Sequence, residues 1–131
     1  MNKKTAFLFP GQGSQYAGMF DLVKDTSVAK DYIAQFEDRL HYRFDSFKEE
    51  ALQQTWVTQP ALFTMSAIYT TLLKEEGICP QFVAGHSLGE FSALLAAQFF
   101  SFQDGLATVC LRGKLMQEAS SHSEGKMAAI I

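Results

Sequence analysis

The hydrophobic pattern of the chain predicts short strands that alternate with amphipathic helices. Two apolar runs, Thr5–Phe9 and Phe82–Ala84, each end at a glycine-containing turn, as buried strands do. Apolar residues spaced three or four positions apart predict helices over 27–40, 45–54, 61–76, 91–97 and 101–119. This alternation of strands and helices indicates an α/β fold.

Residues that favour helix ends mark three of these boundaries. Pro60 suits the first position of the helix 61–76, and Gly77 ends that helix as a C-terminal cap. Ser101-Phe102-Gln103-Asp104 resembles a capping box that opens the last helix. The first helix is expected to bury one face, formed by Val28, Tyr32, Ile33, Phe36 and Leu40.

The turn after the second strand carries the strongest chemical signal, Gly85-His86-Ser87-Leu88-Gly89. A G-x-S-x-G pentapeptide between a strand and a helix is the nucleophile elbow, in which a sharp turn holds a serine hydroxyl at the top of a sheet. Gly85 and Gly89 fit places where strand and helix are too close for side chains. The N-terminus of the following helix would stabilise an oxyanion beside Ser87. The other reading is a purely structural turn, because such pentapeptides also occur by chance.

Two further places admit both a structural and a functional reading. Pro10-Gly11-Gln12-Gly13-Ser14-Gln15 follows the first strand, at the sheet edge where open α/β sheets bind ligands. It is either a plain strand-to-helix turn or a loop whose backbone N–H groups face a ligand. Arg112 lies among the apolar residues of the last helix, as either a solvated side chain or a planar fork that clamps a carboxylate.

Composition narrows the classes of protein to which the chain can belong. Its 131 residues are 47% apolar, enough for one globular domain with a core. The net charge of −3, without a run of Lys or Arg, argues against a nucleic-acid surface. Cys79 and Cys110 have neither metal-binding nor disulfide-framework spacing, so we expect reduced core thiols, no metal site and a cytoplasmic protein. The first apolar run ends at Pro10, too early for a signal peptide, and no stretch is long enough to cross a membrane.

Read together, several segments resemble the malonyl-CoA:acyl-carrier-protein transacylases of fatty-acid synthesis and the acyltransferase domains of polyketide synthases. The segments that carry the resemblance are Phe9–Gln15, Thr55–Leu62, Gly85–Glu90, Arg112–Lys114 and Gly125–Ile131. They follow one another in order and with fitting spacing along the whole chain. The resemblance implies that residues 1–131 are the N-terminal portion of an α/β-hydrolase-like large subdomain. Its parallel strands would be flanked by helices, and it would end as a small ferredoxin-like subdomain begins.

The resemblance also implies a reaction and a role for each matched residue. The family transfers a malonyl group from coenzyme A to the phosphopantetheine thiol of acyl carrier protein, through an acyl-serine. Ser87 is then the nucleophile, and the backbone N–H groups of Gln12 and Leu88 form the oxyanion hole. Arg112 clamps the malonyl carboxylate, and Gln59 lines the acyl pocket. No permanently bound cofactor is implied.

None of the three histidines matches the base of this family. His86 belongs to the serine motif and is expected near the substrate, but it directly precedes Ser87 and points away from it in a strand-like backbone. His41 is expected to be an ordinary histidine at or near the surface, and His122 lies in a polar loop. The resemblance places the catalytic histidine beyond residue 131. We therefore expect this polypeptide alone to be nearly inactive, because a serine without a base is a weak nucleophile.

The expected partners are acyl carrier protein, the coenzyme A thioester and the remainder of the family fold. The family is roughly twice as long as this chain, so that remainder would lie in the same parent chain or in another one. Residues 127–131 read as the beginning of a strand, and an incomplete fold predicts a sizeable exposed apolar face.

Two other functions stay open on the sequence alone. One is a serine esterase of the α/β-hydrolase type, which needs an acid and a histidine after its serine. Among the histidines, only His122 follows Ser87. The other is a non-catalytic module that binds the carrier protein or a partner chain.

Overall fold

Two parallel strands and four α-helices form the part of the chain that the structure, a computed structural model, describes: residues 4–44, 48–122 and 125. In chain order the elements are β1 (Ala6–Phe9), α1 (Ser27–Leu40), a 3-10 helix (Ala51–Gln53), α2 (Thr55–Glu75), β2 (Phe82–Gly85), α3 (Gly89–Ala96) and α4 (Phe102–Ser121). The strand predicted at 127–131 lies outside the described residues, as do positions 45–47 of the predicted helix 45–54. What the structure describes of that helix contains a single 3-10 turn.

β1 and β2 pair in parallel, with Ala6 opposite Phe82 and Phe9 opposite Gly85. Parallel neighbours need a crossover connection, and α1 and α2 lie between these strands in sequence. The predicted α/β architecture, with parallel strands flanked by helices, is therefore confirmed. The pairing brings the C-terminal ends of both strands to one edge of the sheet, where the loop after Phe9 adjoins the turn after Gly85.

Helix packing supplies most of the core. α2 contacts α1, α3 and α4, and its residues Ala61, Phe63 and Ile68 are fully buried. The predicted apolar face of α1 is confirmed, since Phe36 is buried in the same cluster, joined by the partly buried Val28, Tyr32, Ile33 and Leu40. Because two strands do not make a stable sheet on their own, this helical layer supports the sheet.

The strands are covered on one face only, contrary to the prediction that they are buried. Phe9 packs in a cluster with α3, and Phe7 and Val83 pack against that cluster. Leu8 is 77% exposed and Phe82 is 55% exposed, because successive side chains of a strand point to opposite faces. The described residues thus leave apolar side chains in solvent on the second face, which confirms the exposed apolar surface that the sequence predicted.

Helix α2 begins at Thr55, so Pro60 lies inside the helix and the prediction that it occupies the first position is wrong. Proline fixes a φ that suits a helix and removes one backbone hydrogen bond, which a helix near its start tolerates when packing compensates. The compensation here is burial: Val57, Thr58 and Gln59 are all buried ahead of the proline.

The caps predicted at Gly77 and Ser101 are confirmed. Gly77 has a φ of 77°. Its N–H donates to the Lys74 carbonyl oxygen, and the N–H of Ile78 donates to the Leu73 carbonyl oxygen. These two bonds are the Schellman motif, which favours glycine at this position. The Ser101 hydroxyl accepts a hydrogen bond from the N–H of Asp104 at the start of α4, which ends at Ser121, two residues later than predicted.

The two cysteines lie in different surroundings. Cys110 is a buried core residue as predicted, and burial raises the pKa of its thiol, an effect that the nearby Arg39 and Lys114 oppose. The prediction that Cys79 is a core residue is wrong, because it is exposed in the connection between α2 and β2. Within 4–44 and 48–122, none of the helices combines the length and the hydrophobicity that a membrane span requires.

The backbone of α3 meets both strands at Gly85 and Gly89. A Cβ on Gly85 would overlap the backbone of Gly89, and a Cβ on Gly89 would overlap the carbonyl group of Phe9. Backbone atoms cannot turn aside as the end of a flexible side chain can. The predicted steric role of the two glycines is therefore confirmed.

Replacing Gly89 with Ala should lower the free energy of unfolding by more than about 3 kcal/mol, because strand and helix must separate to admit the methyl group. Gly77→Ala is the matched control. Its Cβ would have no neighbour within 4 Å, so the positive φ alone destabilises it, by about 1 kcal/mol. Chemical denaturation followed by circular dichroism measures both losses. Equal losses would contradict the close contact at the turn.

Helix α2 contains two fully buried threonines that differ in their hydrogen bonding. Thr58 and Thr64 both have 0% exposure. The Thr58 hydroxyl donates to the carbonyl oxygen of Leu52 at 2.6 Å, whereas the Thr64 hydroxyl has no partner among the described residues. A buried hydroxyl without a partner destabilises a fold by roughly 1–3 kcal/mol.

Thr64→Val should raise the free energy of unfolding by about 1 kcal/mol, because it keeps the side-chain shape and removes an unpaired polar group. Thr58→Val makes the same chemical change on the same helix. It should lower the free energy of unfolding by about 1–2 kcal/mol, since the Leu52 carbonyl loses its donor. Urea titrations of the two variants measure the difference, and shifts of the same sign would disprove this assignment of the hydroxyls.

Candidate active site

Ser87 lies at the sharp turn between β2 and α3, as the pentapeptide predicts. Its φ is 53°, in the left-handed region that residues other than glycine rarely adopt. Two hydrogen bonds close the turn: the N–H of Gly89 bonds the His86 carbonyl oxygen at 2.9 Å, and that of Glu90 bonds the Ser87 carbonyl oxygen at 3.1 Å. The Ser87 side chain is exposed at the end of the sheet. Such strain in the backbone is typical of functional sites.

The N-terminus of α3 lies directly after Ser87. Leu88 is the N-cap residue and makes no side-chain capping bond. Among the described residues, none accepts a hydrogen bond from the N–H of Leu88. The positive end of the helix dipole and a free donor therefore adjoin the serine.

The loop after β1 lies against the same turn. A Cβ on Gly11 would stand 2.8 Å from the His86 carbonyl oxygen and 3.5 Å from the Cβ of Ser87. The loop is braced internally, because the Ser14 hydroxyl donates to the Gly11 carbonyl oxygen at 2.8 Å. The backbone N–H of Gln12, the next residue, has no acceptor in the described part of the chain. The structure thus brings this loop to Ser87, as its functional reading requires.

Arg112 reaches Ser87 from α4. One guanidinium nitrogen donates to the Oε1 of Gln59 at 2.6 Å, and the other donates to the Oγ of Ser87 at 3.2 Å. The guanidinium carbon lies 5.7 Å from the centre of the Phe91 ring, a cation–π distance. The side chain is half-buried and pairs with no carboxylate of the described residues. The Arg112 side chain is thus held by Gln59 and Ser87 rather than extended into solvent, and its role as a carboxylate clamp stays a prediction.

Gln59 connects Arg112 to the loop after β1. It is fully buried, and its Nε2 donates to the Oε1 of Gln12 at 3.4 Å and to the Sδ of Met116 at 3.2 Å. The side chains of Ser87, Arg112, Gln59 and Gln12 are therefore brought together by consecutive hydrogen bonds. This group draws on the β1 loop, α2, the β2–α3 turn and α4.

No histidine of the described residues bonds Ser87. The backbone N–H of His86 bonds the Phe9 carbonyl oxygen, and its imidazole lies on the Gly11 side of the turn. His41 caps α1 in a left-handed conformation with a φ of 52°, exposed as expected. The Nδ1 of His122 lies 2.7 Å from the Glu118 carbonyl oxygen, at the end of α4. Residues 4–44 and 48–122 also contain no cluster of acidic, histidine and cysteine side chains that could hold a metal ion.

Three more residues contact this group and were not assigned roles from the sequence: Thr55, Phe91 and Met116. A fourth, Gln117, bonds Thr55 in turn. Met116 follows Arg112 by four positions, so helical spacing could have found it. The bond between Thr55 and Gln117 joins residues 62 positions apart. Such a contact leaves no local sequence signal.

Comparison with known proteins gives one consistent family. Residues 6–131 match the acyl transferase domain family. The malonyl CoA-acyl carrier protein transacylase of Bacillus subtilis (strain 168) is 46% identical over 133 residues, which cover 98% of this chain and 42% of the relative. That of Escherichia coli (strain K12) is 43% identical over 132 residues, which cover 96% of this chain and 43% of the relative. The chain thus spans less than half the length of these relatives.

Solved structures agree with the sequence match. The malonyl-CoA:ACP transacylase of Synechocystis sp. PCC 6803 superposes with a TM-score of 0.85 at 43% identity, covering 89% of this chain and 41% of that one. A type II PKS acyl-carrier protein in complex with its malonyl-transacylase gives a TM-score of 0.82 at 43% identity, with 89% and 40% covered. The resemblance inferred from the motifs is confirmed, and the chain belongs to the acyl transferase domain family.

Proposed function

We propose that the chain carries the nucleophile and the substrate clamp of a malonyl-CoA:acyl-carrier-protein transacylase, in fatty-acid or polyketide synthesis. The observation that supports this most directly is the guanidinium of Arg112, which donates to the Oγ of Ser87 without any carboxylate partner among the described residues. A half-buried cation held beside a strained serine suits a substrate that has both an acyl carbon to attack and an anionic tail.

The proposed reaction has two transfers of the same acyl group. The Oγ of Ser87 attacks the thioester carbon of malonyl-CoA, the carbon–sulfur bond breaks, and coenzyme A leaves as the thiol. The phosphopantetheine thiol of acyl carrier protein then attacks the serine ester, and the serine oxygen recovers its proton. The resemblance places the general base that moves these protons beyond residue 131, so this chain supplies nucleophile and clamp but not the base.

The oxyanion of each tetrahedral intermediate would bind to the backbone N–H groups of Leu88 and Gln12. Both donors lack an acceptor in the described part of the chain, and one begins α3, where the helix dipole adds to its effect. A donor of this kind lowers the barrier by about 3 kcal/mol. His86 would lie near the bound substrate, as its place in the serine motif implies, beside the loop that carries Gln12.

Selection of malonyl over acetyl groups would come from Arg112. Its 3.2 Å bond to the neutral Ser87 hydroxyl is long, so a carboxylate can displace it and gain a stronger, charge-assisted pair. Gln59 would hold the other guanidinium nitrogen throughout, at the wall of the acyl pocket. A site that pairs a charge rejects the analogue that lacks it.

Two other functions compete with this proposal. A serine esterase for neutral substrates is disfavoured by the same arginine, because an unpaired cation beside the nucleophile offers nothing to a neutral ester. A non-catalytic module that binds the carrier protein is disfavoured because it would not need the consecutive hydrogen bonds that link Ser87, Arg112, Gln59 and Gln12.

We further propose that residues 1–131 are the N-terminal portion of the large subdomain of an α/β-hydrolase-like fold, acting in the cytoplasm with acyl carrier protein as its partner.

The test is the loading of Ser87. We propose a chimaera that joins this chain to the part of the Bacillus subtilis relative that the chain does not cover, incubated with radiolabelled malonyl-CoA. Label should stay on the protein after denaturation, transfer to acyl carrier protein, and be absent from Ser87→Ala. The chain alone should load at least about 100-fold more slowly, because it lacks a general base. A chimaera that folds but takes no label would favour the binding module.

Replacing Arg112 should change the choice of acyl group. In the chimaera, Arg112→Ala should reduce kcat/KM for malonyl-CoA by about 100-fold or more, since the carboxylate would be buried without its partner. Acetyl-CoA, which has no carboxylate, should lose less than about threefold. Arg39→Ala is the matched control, an arginine on α1 beside Cys110 rather than Ser87, and should leave both rates unchanged. Equal losses for both thioesters would disprove the clamp.

A further inference from the structure

The hydrogen bonds that begin at Arg112 run in one direction. A guanidinium can only donate, so the atom of Gln59 that faces Arg112 must be its oxygen, Oε1. The Nε2 of Gln59 then donates to the Oε1 of Gln12, which leaves the Nε2 of Gln12 to donate to the Oγ1 of Thr55 at 3.2 Å. Arg112 therefore sets the orientation of both amides, and Thr55 is the terminal acceptor of the series.

Thr55 is held in place by a second long-range contact. It is the first residue of α2, and the preceding Gln54 makes no side-chain capping bond. The backbone N–H of Thr55 instead donates to the Oε1 of Gln117 on α4 at 2.9 Å. A Cβ on Gly113 would lie 3.0 Å from the Thr55 carbonyl oxygen, so α4 passes close by. A threonine at a helix start commonly uses its hydroxyl for its own helix, whereas this hydroxyl accepts from another loop.

We propose that Thr55 is a positioning residue for the transfer reaction, which fixes the side chain of Gln12 and thereby the backbone N–H of Gln12 beside Ser87. The inference rests on the proposed function, because it assumes that this N–H binds the oxyanion. It adds a residue outside the acyl pocket, at the start of α2, to the groups that set the geometry of the site.

The physical reason is that the Gln12 side chain is tied at both ends of its amide. The bond from Gln59 is long, at 3.4 Å, and the loop that carries Gln12 is exposed. Without Thr55 as acceptor, the Gln12 side chain keeps only the weak bond from Gln59. The backbone N–H of Gln12 is then positioned only by the bonds within the loop, from Ser14 to Gly11 and from Gly13 to Gln15. An oxyanion donor that is displaced by a fraction of an ångström loses much of its effect on the barrier.

The experiment uses the chimaera defined above and compares Thr55→Val with Thr55→Ser. Valine keeps the shape and removes the acceptor, so kcat for malonyl loading should fall about tenfold while KM stays within about twofold. Serine keeps the hydroxyl and should stay within about threefold of wild type. Thr71→Val is the matched control. Thr71 lies on α2, as Thr55 does, and its hydroxyl also bonds one side chain of another element, Tyr32 on α1. It should leave kcat unchanged.

A double-mutant cycle separates positioning from general stability. Gln12→Ala keeps the backbone N–H and removes the side chain through which Thr55 acts, so adding Thr55→Val should produce no further loss of kcat. The same loss in both backgrounds, or a rise in KM alone, would overturn the proposal. If Thr55→Val does not fold, Thr55→Ala carries the same comparison. A wild-type chimaera that never loads Ser87 overturns the proposed function and this inference together, whereas loading that ignores Thr55 overturns the inference alone.

Discussion

The site depends on three backbone segments that meet with no room for a side chain between them. β2 and α3 are in contact at Gly85 and Gly89, and Gly89 is in contact with the end of β1 at Phe9. This contact forces the chain to reverse within a few residues, which holds Ser87 in a left-handed conformation. The same contact brings the loop after β1 within reach of the serine. The strained, exposed position of Ser87 and the nearby loop that carries the unbonded N–H of Gln12 therefore follow from one packing constraint.

Local features of the fold could be predicted because their causes are local. The strand at Ala6–Phe9, the Schellman cap at Gly77 and the Ser101 cap each depend on a few adjacent residues. Pro60 misled the prediction of the helix start for a related reason. A proline excludes one hydrogen bond, but the burial of the preceding turn, which outweighs it, depends on distant elements.

Burial and the site itself depend on contacts that are distant in sequence. Leucine and cysteine usually lie in protein cores. Leu8 and Cys79 are nevertheless exposed, because nothing in the described part of the chain covers them. Arg112 and Gln59 are 53 positions apart, so no spacing rule links them. The roles proposed for them come only from the resemblance to a family. Thr55 belongs to a segment that carried the resemblance, but its hydrogen bonds became visible only when α2 and α4 were placed side by side.

An amide rather than an acid fixes the arginine, and this choice has a chemical consequence. A carboxylate at the position of Gln59 would hold the guanidinium as firmly, but it would also neutralise the charge that the proposed malonyl substrate would need. The amide oxygen orients Arg112 at 2.6 Å and leaves it with its full charge directed towards Ser87. The Gln59 amide donates in turn to Gln12, and the Gln12 amide donates to the hydroxyl of Thr55. That hydroxyl accepts the last bond without adding a negative charge. The whole series of hydrogen bonds thus keeps one unneutralised cation in a fixed position beside Ser87.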